Sequence, residues 1–486
     1  AGATPFANAA TGYLISLVGG YNLPRKYKIA FSGCGTDCAL AGVSDLGFIA
    51  ETRDGKPGFR VAAGGGMGAH SRIADALLDW TPAGNVIRVA ETVRRLFDRL
   101  GDRNDKQKAR LRFVFDRIGA GEFRRLFDEL APEVAREGAP ECPDTQPVRE
   151  SASGRVMGPP RAELRGGMRV IAQRQAGYFA VPLHLPLGFL PSGDLARIGE
   201  LAERHSGDSG VRATRRQNLT MRFVKERDLP ALAAGLRTLK TDVLSPSPLD
   251  RFVVCAGAST CRLGICLSRN AALACADALA GAGISRGALD AMDFHVNGCS
   301  NACGQQPVGP AGFYGIARRT GGRLAPAYGV TLGGRCGSGG ARLGAPAGEA
   351  PAAALPALAR DLAADFDARR GPSESFVEYF DRVGMDHFKA IVARHADMPA
   401  FEERPEFFRD LGATEEFSLA GRGAGECGAG VFEVIRQDLA EAGQAGAPFE
   451  MLLPAARALL ITRGVDARDP DTVFREFERC FIETGL

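Results

Sequence analysis

One feature constrains the fold of this chain more than any other: it carries the same set of landmarks twice, so it should build the same substructure twice. The segment FSGCGTDCALAGVSDLGFIAE, from Phe31, matches VNGCSNACGQQPVGPAGFYGI, from Val296. Both contain Gly-Cys-x-x-x-Cys, and both place Gly-Phe nine positions after the second cysteine, Cys38 to Gly47 and Cys303 to Gly312. Both then run through a strand-like stretch into a glycine cluster, VAAGGGMG at 61–68 and VTLGGRCG at 330–337. These clusters read as turns of the repeat and not as phosphate-binding loops. The second copy is four residues longer between landmarks, 333 − 312 = 21 against 64 − 47 = 17. What precedes the copies differs. The second follows an apolar helical stretch, SRNAALACADALAGAG, a cysteine-rich loop from Cys255, and strands and helices from about residue 168. The first follows only FANAATGYLISLVGG. Its opening half therefore reads as missing, either because the chain is a fragment or because the repeat is incomplete by nature. The first residue is Ala rather than Met, and a fragment is the expectation.

The 486 residues should divide into several domains. Residues 1–136 form a first core lobe, incomplete at its N-terminus, with charged amphipathic helices over 86–135. Residues 137–167 are rich in Pro, Gly and charge and read as a linker. Residues 168–250 alternate strand and helix patterns, with GYFAVPLHLP and GVRATRRQNLTMRFV as strands, which predicts a small ferredoxin-like half-domain. Residues 251–345 form the second core lobe. The Ala-, Gly- and Pro-rich 346–375 read as another linker, and 376–486 as a separate helical module. The fold class is α+β.

Bulk properties exclude several roles. A net charge of +3 is too small to mark nucleic acid as a partner. No apolar run is long enough for a membrane span, and the apolar stretch near residue 13 lacks a basic flank, which predicts a cytoplasmic protein. Twelve cysteines in that setting are ligands or core residues rather than disulfides.

Four cysteines fall in two close pairs. Cys255 and Cys261 have five residues between them, Cys299 and Cys303 three. Pairs on tight loops can reach neighbouring corners of an iron–sulfur cubane, and four thiolates complete its ligation. Gly257, Gly298 and Gly304 sit beside them, where the backbone must turn or approach closely. A structural zinc is the competing reading, although a five-residue gap suits it poorly. Cys34 and Cys38 mirror Cys299 and Cys303 without an upstream partner pair. They read as a relic of duplication or half of another metal site. Cys142, Cys266, Cys275, Cys336, Cys427 and Cys480 read as ordinary thiols, and His295 as a packed strand residue.

VVCAGASTCRLGIC and NGCSNACG, separated by 37 residues (299 − 261 − 1), resemble the two cluster-binding signatures of the siroheme- and [4Fe-4S]-containing nitrite and sulfite reductases. LPRKYKIAFSG resembles that family's siroheme- and anion-binding strand, and YFAVPLHLPLGFL with RATRRQN its ferredoxin-like half-domain. The resemblance covers roughly residues 10–345. It implies a pseudo-two-fold duplicated core with a ferredoxin-like lobe, and the cofactors siroheme and a [4Fe-4S] cluster. It implies Cys255, Cys261, Cys299 and Cys303 as cluster ligands, with Cys303 bridging to the siroheme iron. Asn301 would contact siroheme, and Arg25, Lys26 and Lys28 would face the substrate and the macrocycle's carboxylates. Fixed cations there concentrate a small anion and supply protons. The family's other active-site arginines lie in the first ferredoxin-like lobe, which this sequence is expected to lack, so Arg212 and Arg216 are not assigned their role. The C-terminal stretch resembles the HEPN-type helical extension of some bacterial members.

The implied activity is six-electron reduction of sulfite to sulfide, or of nitrite to ammonia. Lys28 favours sulfite, because the nitrite reductases tend to carry a neutral residue there and a doubly charged anion favours the extra cation. No flavin or nicotinamide site is evident, so electrons should come from an external donor such as a ferredoxin or a flavoprotein. The rival reading is a non-catalytic iron–sulfur electron carrier or structural subunit.

Overall fold

The computed structural model describes residues 2–142, 162–165, 168–173, 175–337, 339–422, 429–467 and 469–485. The chain forms two compact units, one of residues 1–145 and 254–486, the other of residues 146–253.

The first unit contains the repeat. Helix α1 (Thr4–Ser16) leads into strands β1 (Ile29–Ser32), β2 (Leu46–Arg53), β3 (Lys56–Ala63) and β4 (Asp75–Pro82), which pair in that order. Strands β1 and β2 are parallel, with Ile29 opposite Leu46; the later pairs are antiparallel. Helices α2 (Val86–Leu100) and α3 (Leu111–Arg136) pack against this sheet, burying Val89, Val93, Phe97, Phe123 and Phe127 at helical spacing. Phe31 and Phe48 stack at 4.7 Å in the same core.

The second unit is a five-stranded antiparallel sheet with two helices. It comprises β5 (Ala162–Arg165), β6 (Met168–Ala172), β7 (Tyr178–Leu183), α4 (Ser192–His205), β8 (Val211–Ala213), β9 (Leu219–Lys225) and α5 (Leu229–Leu236), with sheet order β5-β6-β7-β9-β8. The sequence 210–224, expected as one strand, is a hairpin. Gln217 takes a positive φ of 61°, and the Thr214 N–H donates to the Asn218 carbonyl at 2.8 Å, closing a turn over RRQ. Arg212 is paired with Asp208 at 3.2 Å. The expected linker 137–167 falls mostly outside the described residues; within it, residues 162–165 are a strand.

The chain then forms β10 (Phe252–Val254), α6 (Ser268–Ala280), α7 (Arg286–Asp290), β11 (Phe294–Asn297), β12 (Ala311–Thr320), β13 (Arg323–Leu332), the small hairpin β14 (Arg335–Gly337) and β15 (Gly340–Arg342), β16 (Ala345–Pro351) and α8 (Leu355–Arg369). The main sheet has the order β10-β11-β12-β13-β16. Its opening parallel strand pair repeats the first copy residue for residue. Phe294 opposes Ala311 in parallel, as Ile29 opposes Leu46, and each member of the second pair lies 265 positions after its counterpart (294 − 29 and 311 − 46). The next hairpin closes over two residues with positive φ in each copy, Asp54 and Gly55 (50° and 74°), Gly321 and Gly322 (56° and 77°). Gly64 and Gly333 follow with φ of 79° and 76°. A Cβ at either would stand 2.4 or 2.3 Å from a phenyl carbon, of Phe115 or Phe380. Val43 and Val308, each five positions after its copy's second cysteine, meet in one small apolar cluster with Leu40, Met67 and Leu343. The copies therefore face each other about a pseudo-two-fold axis.

Two expectations for the C-terminal third are corrected. Residues 346–375 are not a linker but contain most of β16 and all of α8. Their alanines are good helix formers, and Leu355, Leu358, Leu362 and Phe366 recur at helical spacing and are fully buried. Nor is 376–486 separate. Helices α9 (Phe376–Val383), α10 (Met385–Ala393), α11 (Ala429–Gln444), α12 (Pro448–Thr462) and α13 (Pro470–Phe477) belong to the same unit as the repeat. Phe376 and Tyr379 pack against Phe366, Phe388 packs against Phe376, and Arg319 of β12 makes a buried two-bond ion pair with Asp438 of α11, at 2.8 and 3.2 Å. No helix among the described residues is long and apolar enough to cross a membrane.

Candidate functional site

The two cysteine loops are stitched to each other before any ligand is considered. The Gly298 N–H donates to Cys255 Sγ at 3.0 Å, and the Gly298 carbonyl accepts from Ile265 and Cys266 N–H at 2.7 and 2.9 Å. A side chain at Gly298 would collide with the Cys266 carbonyl oxygen, 2.6 Å from its Cβ. Gly257 takes φ +62°, with Ser268 Oγ 2.3 Å from where its Cβ would be. On the other loop, the Gly304 N–H donates to buried Asn297, whose amide donates to Gln306 at 3.0 Å, and the Gly304 carbonyl bonds His295 Nδ1 at 2.8 Å. His295 thus helps fix the loop beside Cys303.

The four thiols share one electrostatic environment. Burial and the charges that Cys255, Cys303 and Cys261 would carry push Cys299 up to about 12, against the pull of the Asn301 N–H. Burial, Cys255 and Cys261 also push Cys303 up, while Lys28 and Lys26 pull it down. A cation or cationic cluster beside Cys299 and Cys303 would favour their thiolate forms. Among the described residues no three His, Cys, Asp or Glu converge as ligands of a single ion. A cubane asks something different, one thiolate at each of four separate irons, and the donor set fits that demand. Cys299 is buried, Cys255 and Cys261 half-buried, and Cys303 exposed.

Cys303 faces the first copy. Arg25, Lys26 and Lys28 lie on an irregular segment just before β1, not on the strand as expected, and it is the charge of Lys28 and Lys26 that Cys303 feels. The Lys28 N–H donates to Asp45 Oδ2 at 2.8 Å. Partial burial lowers the Lys28 pKa, and Arg110 and Lys26 lower it further, opposed by Asp45 and Cys303.

Three residues that sequence reasoning passed over complete this side. Asp45, fully buried, takes two bonds from Arg110, Nη2 to Oδ2 at 2.7 Å and Nε to Oδ1 at 3.2 Å. Burial raises its carboxyl, which Arg110 and the Lys28 amide oppose. Arg112, also buried, is lowered to about 10 by desolvation and then by Arg110. Its Nε and Nη1 are buried without an acceptor among the described residues, and it lies against Gly66, where a Cβ would be 2.7 Å from Nη1. A buried guanidinium with idle donors beside further cations is arranged to receive an anion. The only hint in sequence was KARLR at the start of α3, which reads equally well as a charged helix face.

The mirrored pair Cys34 and Cys38 is built differently. Asp37, between them, occupies the place of Ala302 in the second copy. Its buried carboxylate accepts from Ser32 Oγ at 2.6 Å, from the N–H groups of Ala41 and Gly42, and from Cys336 Sγ at 3.2 Å. The first loop is thus closed by a carboxylate at the position that Ala302 holds in the second. Cys142, Cys266 and Cys275 are buried and Cys336 and Cys480 half-buried, while Cys427 lies outside the described residues.

Residues 2–134 match the nitrite and sulphite reductase 4Fe-4S domain, and residues 171–239 the nitrite/sulfite reductase ferredoxin-like half domain. The four cysteines lie outside both stretches and are tied to the first by the repeat. Among curated proteins, the chain is similar to a ferredoxin–nitrite reductase of Synechococcus elongatus, 32% identical over 323 residues, covering 65% of this chain and 58% of that protein. It is also similar to the chloroplastic ferredoxin–nitrite reductase of Zea mays, 29% identical over 345 residues, covering 69% and 57%. The chain spans a little over half the length of these relatives. Among solved structures, the Mycobacterium tuberculosis NirA protein shares the fold, with a TM-score of 0.62 at 23% identity, covering 79% of this chain and 68% of that one.

Proposed function

The chain belongs to the nitrite and sulfite reductase family, and on that premise we propose that it reduces sulfite to sulfide by six electrons at a siroheme coupled to a [4Fe-4S] cluster, the two cofactors the family implies. The observation that carries the reading is that Lys26 and Lys28, from one copy of the repeat, act electrostatically on Cys303, from the other. Cys255, Cys261, Cys299 and Cys303 would hold the cluster. Cys303, the most exposed of the four, would also reach the siroheme iron. When bound, the siroheme supplies the electrons to the anion. Lys28 and Lys26 draw the anion in and hold protons for its departing oxygens, and a lowered lysine pKa suits proton donation near neutral pH. Arg25 and Asn301 would contact the macrocycle. The idle donors of Arg112 support a carboxylate of the macrocycle or another anionic group at that place.

Lys28 supports sulfite, through the charge of that anion. The names of the curated relatives support a second reading, nitrite as substrate and a ferredoxin as donor. A third reading, a non-catalytic iron–sulfur subunit, is separated from both by the visible spectrum of the anaerobically reconstituted chain. Strong Soret and red-region bands are expected, together with iron and acid-labile sulfide; a cluster without those bands sinks the reductase reading. Substrate choice is tested with Lys28→Asn. Sulfite reduction should fall at least tenfold with nitrite reduction less affected, and unchanged sulfite reduction removes the case for sulfite.

A further inference from the structure

The segment that follows Phe408 contacts the first cysteine loop in a way the repeat does not require. Asp410 is buried, and its Oδ2 accepts the Leu267 N–H at 2.6 Å. The Leu411 carbonyl accepts from Asn270 Nδ2 at 2.9 Å, and Gly412, at φ 75°, lies so close that a Cβ would stand 2.6 Å from that nitrogen. Further along, Arg422 donates through Nη1 to the carbonyls of Ala258 at 3.1 Å and Cys261 at 3.4 Å. One segment therefore grips the loop at its middle and at its C-terminal end. That segment is itself tied down. The Gly421 N–H donates to the Gly464 carbonyl at 3.0 Å, and Asp466 accepts from Ser418 Oγ at 3.1 Å. Gly464 and Asp466 follow α12, which is packed on α13 through Leu460 and Val473.

The loop needs such support. Its residues 256–260 are Ala, Gly, Ala, Ser and Thr, too small to anchor it through a core. The bonds to Gly298 hold the loop at Cys255, Ile265 and Cys266; between those points, bonds such as Cys261 N–H to the Gly257 carbonyl at 3.0 Å close turns within the loop itself. A guanidinium serves two carbonyls at once, and its charge does not titrate away.

We propose that residues 410–422 brace the cysteine loop, with Arg422 as a positioning residue that fixes the backbone of Cys261 and sets a permanent positive charge beside it. The loop part of this proposal stands on the contacts alone; the charge part rests on the reading of Cys261 as a cluster ligand. A nearby cation favours the more negative, reduced state of a cluster and so raises its potential.

The test uses the full chain with Arg422→Gln and Arg422→Lys. In the cluster-free protein, amide hydrogen exchange over residues 258–266 should speed up on the order of tenfold in Arg422→Gln. Exchange in β12 and β13 should stay at the wild-type rate, which separates loosening of the loop from general unfolding. Arg422→Lys, which keeps the charge and one donor, should restore part of the protection. After anaerobic reconstitution, the midpoint potential followed by electron paramagnetic resonance should move negative in Arg422→Gln and stay near wild type in Arg422→Lys. Unchanged loop exchange in Arg422→Gln overturns the brace, whatever the loop binds. An unchanged potential overturns the role of the charge. A wild-type chain that takes up no iron and sulfide overturns the cluster reading and the charge part with it, and leaves the exchange result to decide the brace.

Discussion

Lys28 is anchored on both sides of its backbone, its N–H on Asp45 and its carbonyl on the Leu46 N–H at 3.1 Å. Asp45 in turn neutralises Arg110. Asp45→Asn would leave Arg110 buried beside a neutral partner, and a loss of about 3–5 kcal/mol is expected in urea unfolding of the cofactor-free chain. Arg112 should behave in the opposite way. Its idle buried donors cost roughly 1–3 kcal/mol, so Arg112→Met should stabilise the cofactor-free chain by about 1 kcal/mol. The same change should lower the siroheme retained per chain, read from Soret absorbance. Lys28 donates only while protonated, and burial, Arg110 and Lys26 all depress its pKa. Activity should therefore fall as pH rises, at a pH below that at which an exposed lysine titrates, and this limb should vanish from what activity Lys28→Asn retains. None of these partnerships could be read from sequence. Asp45 and Arg110 are 65 positions apart, and neither lies in a recognisable motif.

At the scale of elements, the landmarks of the repeat became specific backbone geometry. Asp54-Gly55 and Gly321-Gly322 close the two hairpins with positive φ, and Gly64 and Gly333 end the following strands against Phe115 and Phe380. Gly64→Ala and Gly333→Ala should each cost about 2–4 kcal/mol, from the left-handed backbone and the displaced ring, seen as a lower melting temperature for either change. The glycine pattern was legible because only glycine is cheap at such positions. The helix α8 was not, because its alanines and prolines also suit a linker. Its periodic Leu355, Leu358, Leu362 and Phe366 gain meaning only when a surface is there to bury them. RATRRQN likewise gave no sign of the turn that splits β8 from β9.

Across the whole molecule, the C-terminal helices are part of the core unit. The Arg319–Asp438 pair is 8% and 0% exposed, so Asp438→Ala should cost about 3–5 kcal/mol by stranding the arginine, and should speed proteolytic release of the segment beyond residue 400. The sequence by itself determined the duplication, the two cysteine pairs, the glycines that let their loops approach, and the basic segment at Arg25–Lys28, because each depends on short spacings along the chain. The tertiary structure alone decided that Cys303 of one copy lies within electrostatic reach of Lys26 and Lys28 of the other. It alone brought Asp45, Arg110 and Arg112 behind them and laid Arg422 across the cysteine loop. These are contacts between residues scores to hundreds of positions apart, and their energies come from burial and charge that exist only once the lobes have closed on each other.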